Sequence, residues 1–374
     1  MFKKIMFAAG TVAILLTAVV LMLPEPPAQQ KSAAASQEFE LGRGTNLAHW
    51  LSQTKREGAE RRAFLREKDI AFIAAQGFQH VRLPIDEKEM WFEDGTRDED
   101  AFATMADAID WSLKHGLNVV VDLHILRSHY FNAAEKPLWT DTREQDKFIA
   151  LWQDLSAALI DYPTTRVAYE LMNEPVADDP DDWNRLVARA FKAVRALEPQ
   201  RKIVIGSNRW QAAHTFDELK VPDDDNIILS FHFYEPFLMS HYQARWTPVK
   251  DYKGPIHYPG ILVTQAEFDA LPDNEKAIAK DWVGREFNKE ILLKMMEKPL
   301  RKARELGLPL YCGEYSIMDT APEADRLRWF DDMTDIFAEH DIGSANWNYK
   351  SDNFGFIMED GTVNDAMLQK LTEK

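Results

Sequence analysis

The sequence has one cysteine, Cys312, among 374 residues, so the chain cannot form an internal disulfide. It is also short of basic residues: 44 Lys and Arg stand against 61 Asp and Glu, which gives a formal net charge of −17. Proteins that bind nucleic acid present clustered Lys and Arg to the phosphates, so this balance argues against such a partner. It suits a protein that handles a neutral substrate.

Long apolar runs are missing except near the N-terminus. Lys3 and Lys4 precede an apolar stretch from Ile5 to Leu23, and small residues follow it. A basic start, an apolar centre and a small-residue tail predict an export signal, cleaved around Ala28 or Ala35. The apolar stretch is nearly long enough to cross a bilayer, so an uncleaved membrane anchor is the alternative.

These features divide the chain into three parts. Residues 1–23 are predicted to be the signal peptide or anchor, 24–38 a flexible linker rich in Pro, Ala, Gln and Ser, and 39–374 one catalytic domain. The protein is therefore expected to be exported, to the periplasm or the outside of the cell. It would contact a membrane only if the apolar segment were kept.

Beyond the linker, short apolar runs alternate with amphipathic, charge-rich stretches. The runs predict eight strands, at Arg43–Leu47, His80–Leu83, Asn118–Leu123, Val167–Leu171, Lys202–Gly206, Ile227–Phe231, Leu308–Cys312 and Gly343–Trp347. The stretches between them predict helices, including Glu57–Gln76, Ala101–His115, Glu144–Asp161, Asp182–Leu197 and Ala324–His340. Eight strand–helix units predict a (β/α)8 TIM barrel. The alternation breaks between Phe231 and Leu308, where Glu235–Asp281 is predicted to be a long loop over the barrel mouth.

Two glutamates stand where apolar runs end. Glu174 follows the fourth predicted strand in Asn-Glu-Pro, and Glu314 follows the seventh. Catalytic residues of such barrels lie at the carboxyl ends of the strands, so both side chains are expected at the mouth. Two carboxylates that face each other across a cleft can hydrolyse a glycosidic bond.

Other strand ends carry polar or aromatic residues that a buried strand would not select for stability. Unpaired polar groups are costly to bury, so a converging ring of them predicts a shared site. The members are Arg82, His124, Asn173, Asn208, Trp210, His232, Tyr234 and Trp347.

This pattern resembles glycoside hydrolase family 5, the cellulase family of clan A. The likeness extends from Gly44-Thr45-Asn46-Leu47 to Trp347-Asn348-Tyr349-Lys350 and includes Asn-Glu-Pro at 173–175 and His-x-Tyr at 232–234. The resemblance implies retaining hydrolysis of a β-linked glycan on a (β/α)8 barrel, with no metal or organic cofactor. It implies that Glu174 is the acid/base and Glu314 the nucleophile.

The resemblance also implies roles for the surrounding residues. Arg82 and Tyr234 would favour a charged Glu314, and His232 would orient Glu174. The remaining roles concern the sugar: Asn173 would bind the 2-hydroxyl, His124 would bind other hydroxyls, and Trp347 would form the floor of the subsite for the ring under attack. Asn208 is a candidate for supporting the site, and Trp210 and Trp246 are candidates for either core filling or a sugar platform.

Several alternatives stay open from the sequence. Glu170 alternates to the same face as Glu174 and could be the acid instead. Asp122 is expected to be a structural hydrogen-bonding residue, and Cys312 a small buried hydrophobe on the same strand face as Glu314. A metal-dependent hydrolase would usually carry His-x-His, and His124 has no histidine two residues away. A non-catalytic glycan-binding protein would usually have lost one of the two glutamates.

The segment after the sixth predicted strand guides the choice of substrate. Tyr234-Glu235-Pro236-Phe237 with Arg245-Trp246 resembles the cellulase-like members of the family. Endo-acting β-1,4-glucanase activity is therefore expected, with β-mannanase or another β-glucanase activity as the alternative.

Overall fold

Eight parallel strands close into a barrel in residues 39–373, the part of the chain that the computed structural model describes. The strands are β1 (Arg43–Asn46), β2 (His80–Asp86), β3 (Asn118–Ile125), β4 (Val167–Glu170), β5 (Ile203–Gly206), β6 (Ile227–Phe233), β7 (Leu310–Tyr315) and β8 (Ile342–Asn346). Neighbours in the barrel follow the order β1-β8-β7-β6-β5-β4-β3-β2. The predicted (β/α)8 barrel is confirmed.

Helices cover the outside of the barrel and connect its strands. The longer ones are Gly58–Phe64, Glu67–Ala75, Glu99–Lys114, Thr142–Leu159, Pro180–Leu197, Lys289–Met295, Glu297–Leu306, Glu323–Glu339 and Asp365–Thr372. Asp98, Asp141 and Asp179 cap three of them by accepting hydrogen bonds from first-turn N–H groups. Within residues 39–373, no helix combines the length and the apolar character needed to cross a bilayer. The predicted signal or anchor at 1–23 and the linker at 24–38 lie outside the described residues.

The prediction of a single helix at Glu57–Gln76 is wrong, because the chain forms two helices there. Leu65 and Arg66 are in extended conformations between them. The N–H of Arg66 donates to Asp69, which begins the second helix, and Leu65 is fully buried. The break therefore follows from a carboxylate three residues into a new helix and from a buried leucine at the joint.

The long segment after β6 is folded rather than an open loop. It holds short helices at Phe237–Ser240, Gln265–Ala270 and Asp273–Ala279, and a two-stranded ribbon of Gly260–Ile261 and Glu286–Phe287. It is anchored to the outer helix Glu323–Glu339: Tyr258 Oη donates to Asp332, and Trp329 Nε1 donates to the carbonyl of Glu235. The excursion thus continues to Phe287, beyond the predicted boundary at Asp281.

The interior of the barrel changes from apolar to polar along the strands. One buried layer contains Val120, Ala168, Val204, Ile228, Tyr311 and Ala345. Two residues further along β3, β4 and β6, the alternation of a strand places Asp122, Glu170 and Ser230, which are fully buried. The polar layer therefore lies directly beneath the mouth, where it supports the candidate site.

A bulge in β7 turns Glu314 towards the barrel axis. Phe231 of β6 pairs with Cys312, but the next residue, His232, pairs with Glu314, so Gly313 is the extra residue. Tyr311 belongs to the inner layer, whereas Cys312 packs in the core between the barrel and the helices. The expectation that Cys312 shares a strand face with Glu314 is wrong because the bulge interrupts the alternation.

Candidate active site

The mouth of the barrel brings Glu174 and Glu314 together. Both are nearly buried, at 8% and 5% exposure. Carboxylate oxygens of the two residues and a ring nitrogen of His232 all lie within 4.8 Å of one another. Such close oxygens are compatible with a mechanism that forms a covalent intermediate, for which about 5–5.5 Å between the carboxyl groups is usual.

Arg82, from β2, is the centre of the polar layer. Its Nη1 donates to Glu314 Oε1 at 2.9 Å and to Asn46 at 3.0 Å, and its Nε donates to Glu170 at 2.7 Å. Its Nη2 donates to Asn173 Oδ1 at 2.8 Å and lies 3.0 Å from Asp122. The guanidinium is completely buried, so its charge acts on these partners with little screening by water.

Each carboxylate oxygen of Glu314 accepts one hydrogen bond. Arg82 binds Oε1, and the hydroxyl of Tyr234 donates to Oε2 at 2.9 Å. Burial raises the pKa of Glu314, while Arg82 and the Tyr234 hydrogen bond oppose this rise. The arrangement favours an ionised carboxylate, as a nucleophile requires.

Glu174 lies in a different environment. Its side chain contacts His232, whose Nδ1 is 3.0 Å from Oε1. Burial, followed by the negative charge of Glu314, raises the pKa of Glu174 well above its ordinary value. We therefore place the proton of the pair on Glu174, as a general acid requires.

The backbone of Glu174 is held in a left-handed conformation, with φ of 45°. This is uncommon for a residue other than glycine and more so before a proline. The N–H of Glu174 donates to Gln211 Oε1 at 3.0 Å, and Gln211 Nε2 donates to Glu170 at 3.0 Å. A single amide thus fixes the turn that presents Glu174 to the cleft.

Glu170 lies one layer below the mouth. It is fully buried, and its two oxygens accept hydrogen bonds from Arg82 and Gln211. A carboxylate bound in this way has no free oxygen to meet a leaving group. The geometry therefore favours Glu174 over Glu170 as the acid.

Asn173 presents a free amide to the site. Its Oδ1 accepts from Arg82, while its buried Nδ2 has no partner among residues 39–373. Buried donors are almost always paired in folded proteins. The amide nitrogen is therefore available for a substrate hydroxyl.

Both ring nitrogens of His124 have protein partners. Nδ1 is 2.7 Å from Asp122 and Nε2 is 3.0 Å from Gln53. Burial lowers the pKa of His124 to about 4, so the ring is neutral at ordinary pH. A sugar hydroxyl that meets this residue would share Nε2 with the Gln53 amide.

Trp347 lies at the mouth with 7% of its surface exposed. Its ring stacks on His124 at 5.4 Å and meets His49 edge-on at 6.1 Å. It also belongs to a small apolar cluster with Phe354, against which Tyr234 packs. The indole is thus held in place beside Tyr234 and the His124 network.

Asn208 and Trp210 stand apart from the catalytic centre. The amide of Asn208 accepts from the N–H of Ala177 and donates to its carbonyl, both at 2.9 Å, so it holds the loop after Glu174. These contacts fit the expectation that Asn208 supports the site. Trp210 is 43% exposed on the loop after β5, so it does not fill the core.

Sequence reasoning missed Gln211, Asn46 and Gln53, which complete the polar network. The role of Gln211 could not be predicted, because it follows two residues with positive φ and no sequence motif indicates such a loop. Its side chain fits only because residue 206 is glycine: a Cβ there would lie 2.1 Å from Gln211 Nε2. Asn46 belongs to the motif Gly44-Thr45-Asn46-Leu47. Its position at the end of β1, paired with Arg82 of β2, could have indicated that it takes part in the site.

The Glu174, His232 and Glu314 side chains also have the spacing of metal ligands. Glu314 Oε1, however, already faces the Arg82 guanidinium at 2.9 Å, and a second positive charge there would be repelled. The donor set is better matched to an acid and a nucleophile than to a cation.

Comparison with known proteins agrees with this geometry. A family model described as cellulase, glycosyl hydrolase family 5, matches residues 42–353. Endoglucanase C of Acetivibrio thermocellus is 32% identical over 323 residues, which cover 85% of this chain and 93% of that protein. Cellodextrinase A of Ruminococcus flavefaciens is 30% identical and covers 80% of this chain and 83% of its own length.

A solved structure of endoglucanase Cel5A from Thermotoga maritima superposes with a TM-score of 0.70 and 26% identity, over 88% of this chain and 97% of that one. Its barrel and the family match cover the same part of the molecule as the site described above. The chain belongs to the cellulase family, glycosyl hydrolase family 5.

Proposed function

We propose that this protein is a retaining endo-β-1,4-glucanase in which Glu174 is the acid/base and Glu314 is the nucleophile. The observation that carries the proposal is the pair of nearly buried carboxylates, with oxygens within 4.8 Å, in unequal environments. One is bound by Arg82 and Tyr234, the other by His232. Retaining hydrolysis needs this division between a charged and a protonated carboxyl group.

The first chemical step joins the sugar to the enzyme. Glu314 attacks the anomeric carbon while Glu174 gives its proton to the departing glycosidic oxygen. Arg82 and Tyr234 hold the attacking carboxylate in place through its two oxygens. The Asn173 Nδ2, which has no partner within residues 39–373, donates to the sugar 2-hydroxyl, a contact that strengthens in the transition state.

In the second step Glu174 is the ionised member of the pair and acts as a base, while Glu314 is esterified and carries no charge. Once Glu314 is esterified, its negative charge no longer raises the pKa of Glu174. Glu174, now ionised, takes a proton from water, and the water attacks the anomeric carbon. The sugar leaves with its original β configuration.

The choice of β-1,4-glucan follows from the relatives that are named endoglucanases and from the sequence after β6. Trp246 lies in that segment with 53% of its surface exposed, and its ring meets Phe354 at 6.1 Å. Phe354 in turn meets Tyr234 at 6.1 Å. A polymer that leaves the catalytic centre along this row would meet an aromatic face, the surface on which sugar rings stack.

A reducing-sugar assay across carboxymethylcellulose, glucomannan, mannan, xyloglucan and laminarin tests the substrate. We expect the highest rate on carboxymethylcellulose, with a rapid fall in viscosity because internal bonds are cut. Activity on mannan or laminarin alone would favour the β-mannanase or β-1,3-glucanase alternative. Tight binding of these polymers without hydrolysis would favour the non-catalytic alternative.

We also propose that residues 1–23 direct export and that the protein acts in the periplasm or outside the cell. The basic start and apolar run support this, and a polymeric substrate is found there. N-terminal sequencing of the protein from each cell fraction tests both forms. A new N-terminus near Ala28 or Ala35 indicates cleavage, an intact one in the membrane fraction indicates an anchor, and an intact one in the cytoplasm contradicts export.

A further inference from the structure

Two polar atoms near the catalytic pair, His232 Nε2 and Ser230 Oγ, lie close to the same residue, Gly313. Gly313 is the extra residue of the β7 bulge, and a Cβ built on it would lie 3.2 Å from His232 Nε2 and 3.2 Å from Ser230 Oγ. Ser230 and His232 are alternate residues of β6 and therefore point into the barrel one above the other. The absent side chain of Gly313 leaves them room to interact.

Neither atom has another partner. Within residues 39–373, His232 Nε2 and Ser230 Oγ are buried and form no hydrogen bond in the structure. Leaving a buried donor or acceptor unpaired is costly, so two such atoms around one glycine point to a shared interaction. A serine hydroxyl can rotate to donate or accept, which allows it to serve either form of an imidazole.

The other ring nitrogen shows which form is needed. His232 Nδ1 is 3.0 Å from Glu174 Oε1 and 3.7 Å from Glu314 Oε2. With the acid proton of Glu174 on its other oxygen, Oε1 is an acceptor, and so is the ionised Glu314 Oε2. The ring proton therefore belongs on Nδ1, and Nε2 is left as an acceptor. If the proton were on Nε2, the bare Nδ1 would accept the acid proton of Glu174 and divert it from the glycosidic oxygen.

We propose that Ser230 is a positioning residue for acid catalysis: its hydroxyl is linked to His232 Nε2 through one bridging water beside Gly313, which donates to Nε2 and so fixes the ring proton on Nδ1. This inference rests on the proposed acid role of Glu174. Ser230 touches neither the substrate nor the catalytic carboxylates, and acts only through the imidazole.

The first test measures the tautomer of His232 directly. Protein labelled with ¹⁵N-histidine is measured by NMR, and the His232 signals are assigned by their loss in His232→Asn. We expect the Nδ1–H form in the native protein, a mixture or the Nε2–H form in Ser230→Ala, and the native form in Ser230→Thr, which keeps a hydroxyl. An unchanged tautomer in Ser230→Ala overturns the proposal.

The second test separates positioning from a structural effect. Ser230→Ala should lower kcat/KM about tenfold for a cello-oligosaccharide, part of the usual contribution of a general acid, but leave a dinitrophenyl cellobioside within about twofold, because that leaving group needs no proton. Thr45→Val, which removes another buried hydroxyl without a partner, is the matched control and should change neither substrate. Equal losses on both substrates would overturn the proposal. Failure of the native protein to cut any β-glucan would instead overturn the proposed function, and the NMR result would still decide the part played by Ser230.

Discussion

The hydroxyl of Tyr234 donates to Glu314 Oε2 at 2.9 Å, on the opposite oxygen from the one that Arg82 binds. A hydrogen bond to the charged form lowers the pKa of a carboxyl group. Tyr234→Phe removes the bond and keeps the ring, so the pKa of Glu314 should rise and the acid limb of kcat/KM should move to higher pH. The rate at the optimum should fall about ten- to a hundredfold, since hydrogen bonds to charged groups contribute about 1.5–3 kcal/mol. A pH–rate profile identical to that of the native enzyme would show that Tyr234 does not act on the nucleophile.

Glu170 and Glu174 should respond differently to substitution. Glu170→Gln keeps the shape of a residue that bonds to Arg82 and Gln211. We expect it to lower activity on polymer and on an activated aryl glycoside by the same factor, together with a lower melting temperature. Glu174→Gln should abolish hydrolysis of polymer and leave the aryl substrate able to form the covalent intermediate. A selective loss of polymer hydrolysis in Glu170→Gln would move the acid role to Glu170.

Asn173 provides a test that depends on one sugar hydroxyl. Asn173→Ala should reduce kcat/KM about a hundredfold on an aryl β-cellobioside, because interactions with the 2-hydroxyl supply several kcal/mol in the transition state. The same substitution should have little effect on the matching 2-deoxy substrate, which lacks that hydroxyl. An equal loss on both substrates would mean that Asn173 acts through Arg82, to which its Oδ1 is bound, and not on the sugar.

The exposed Trp246 should matter only for longer chains. Trp246→Ala should raise KM for cellopentaose and leave KM for a short aryl glycoside unchanged. The loss of one sugar–aromatic contact affects only a substrate long enough to place a ring there. Leu197→Ala is a suitable control, because Leu197 is 45% exposed at the end of an outer helix. Equal KM values for Trp246→Ala and the native enzyme on every chain length would make Trp246 an ordinary surface residue.

The sequence predicted the barrel because its signals are local. Short β-branched runs such as Val119-Val120-Val121 favour buried strands, and the helices between them begin at acidic caps such as Asp98 and Asp141. The positions of Glu174 and Glu314 followed from the ends of those strands. The resemblance to a known family then added the expected role of each.

Other features depended on contacts between distant segments. The inward turn of Glu314 depends on a bulge that is defined by pairing with β6 as well as by the sequence of β7. Gln211 reaches Glu174 and Glu170 only because its loop takes left-handed conformations and Gly206 leaves space. The folded excursion after β6 is held by Asp332 and Trp329, residues far along the chain. No periodicity in the sequence announces such contacts.

The stereochemistry of the product follows from the distance between the two carboxylates. With oxygens within 4.8 Å, attack by Glu314 and then by water inverts the anomeric carbon twice. NMR spectra recorded early in the hydrolysis should therefore show the β-anomer, followed by slow mutarotation. First appearance of the α-anomer would indicate single displacement by water and would exclude a covalent intermediate.

Azide rescue of the two alanine variants tests the assignment of both glutamates most directly. Glu174→Ala should still be glycosylated by a dinitrophenyl cellobioside and should then stall, because no base remains to activate water. Azide needs no base, so it should restore turnover and give the β-glycosyl azide, whereas Glu314→Ala should give the α-azide if azide rescues it. NMR of the two azide products provides the measurement. The β-azide from Glu174→Ala is the result that we predict, and the α-azide from Glu174→Ala, or the β-azide from Glu314→Ala, would contradict the account.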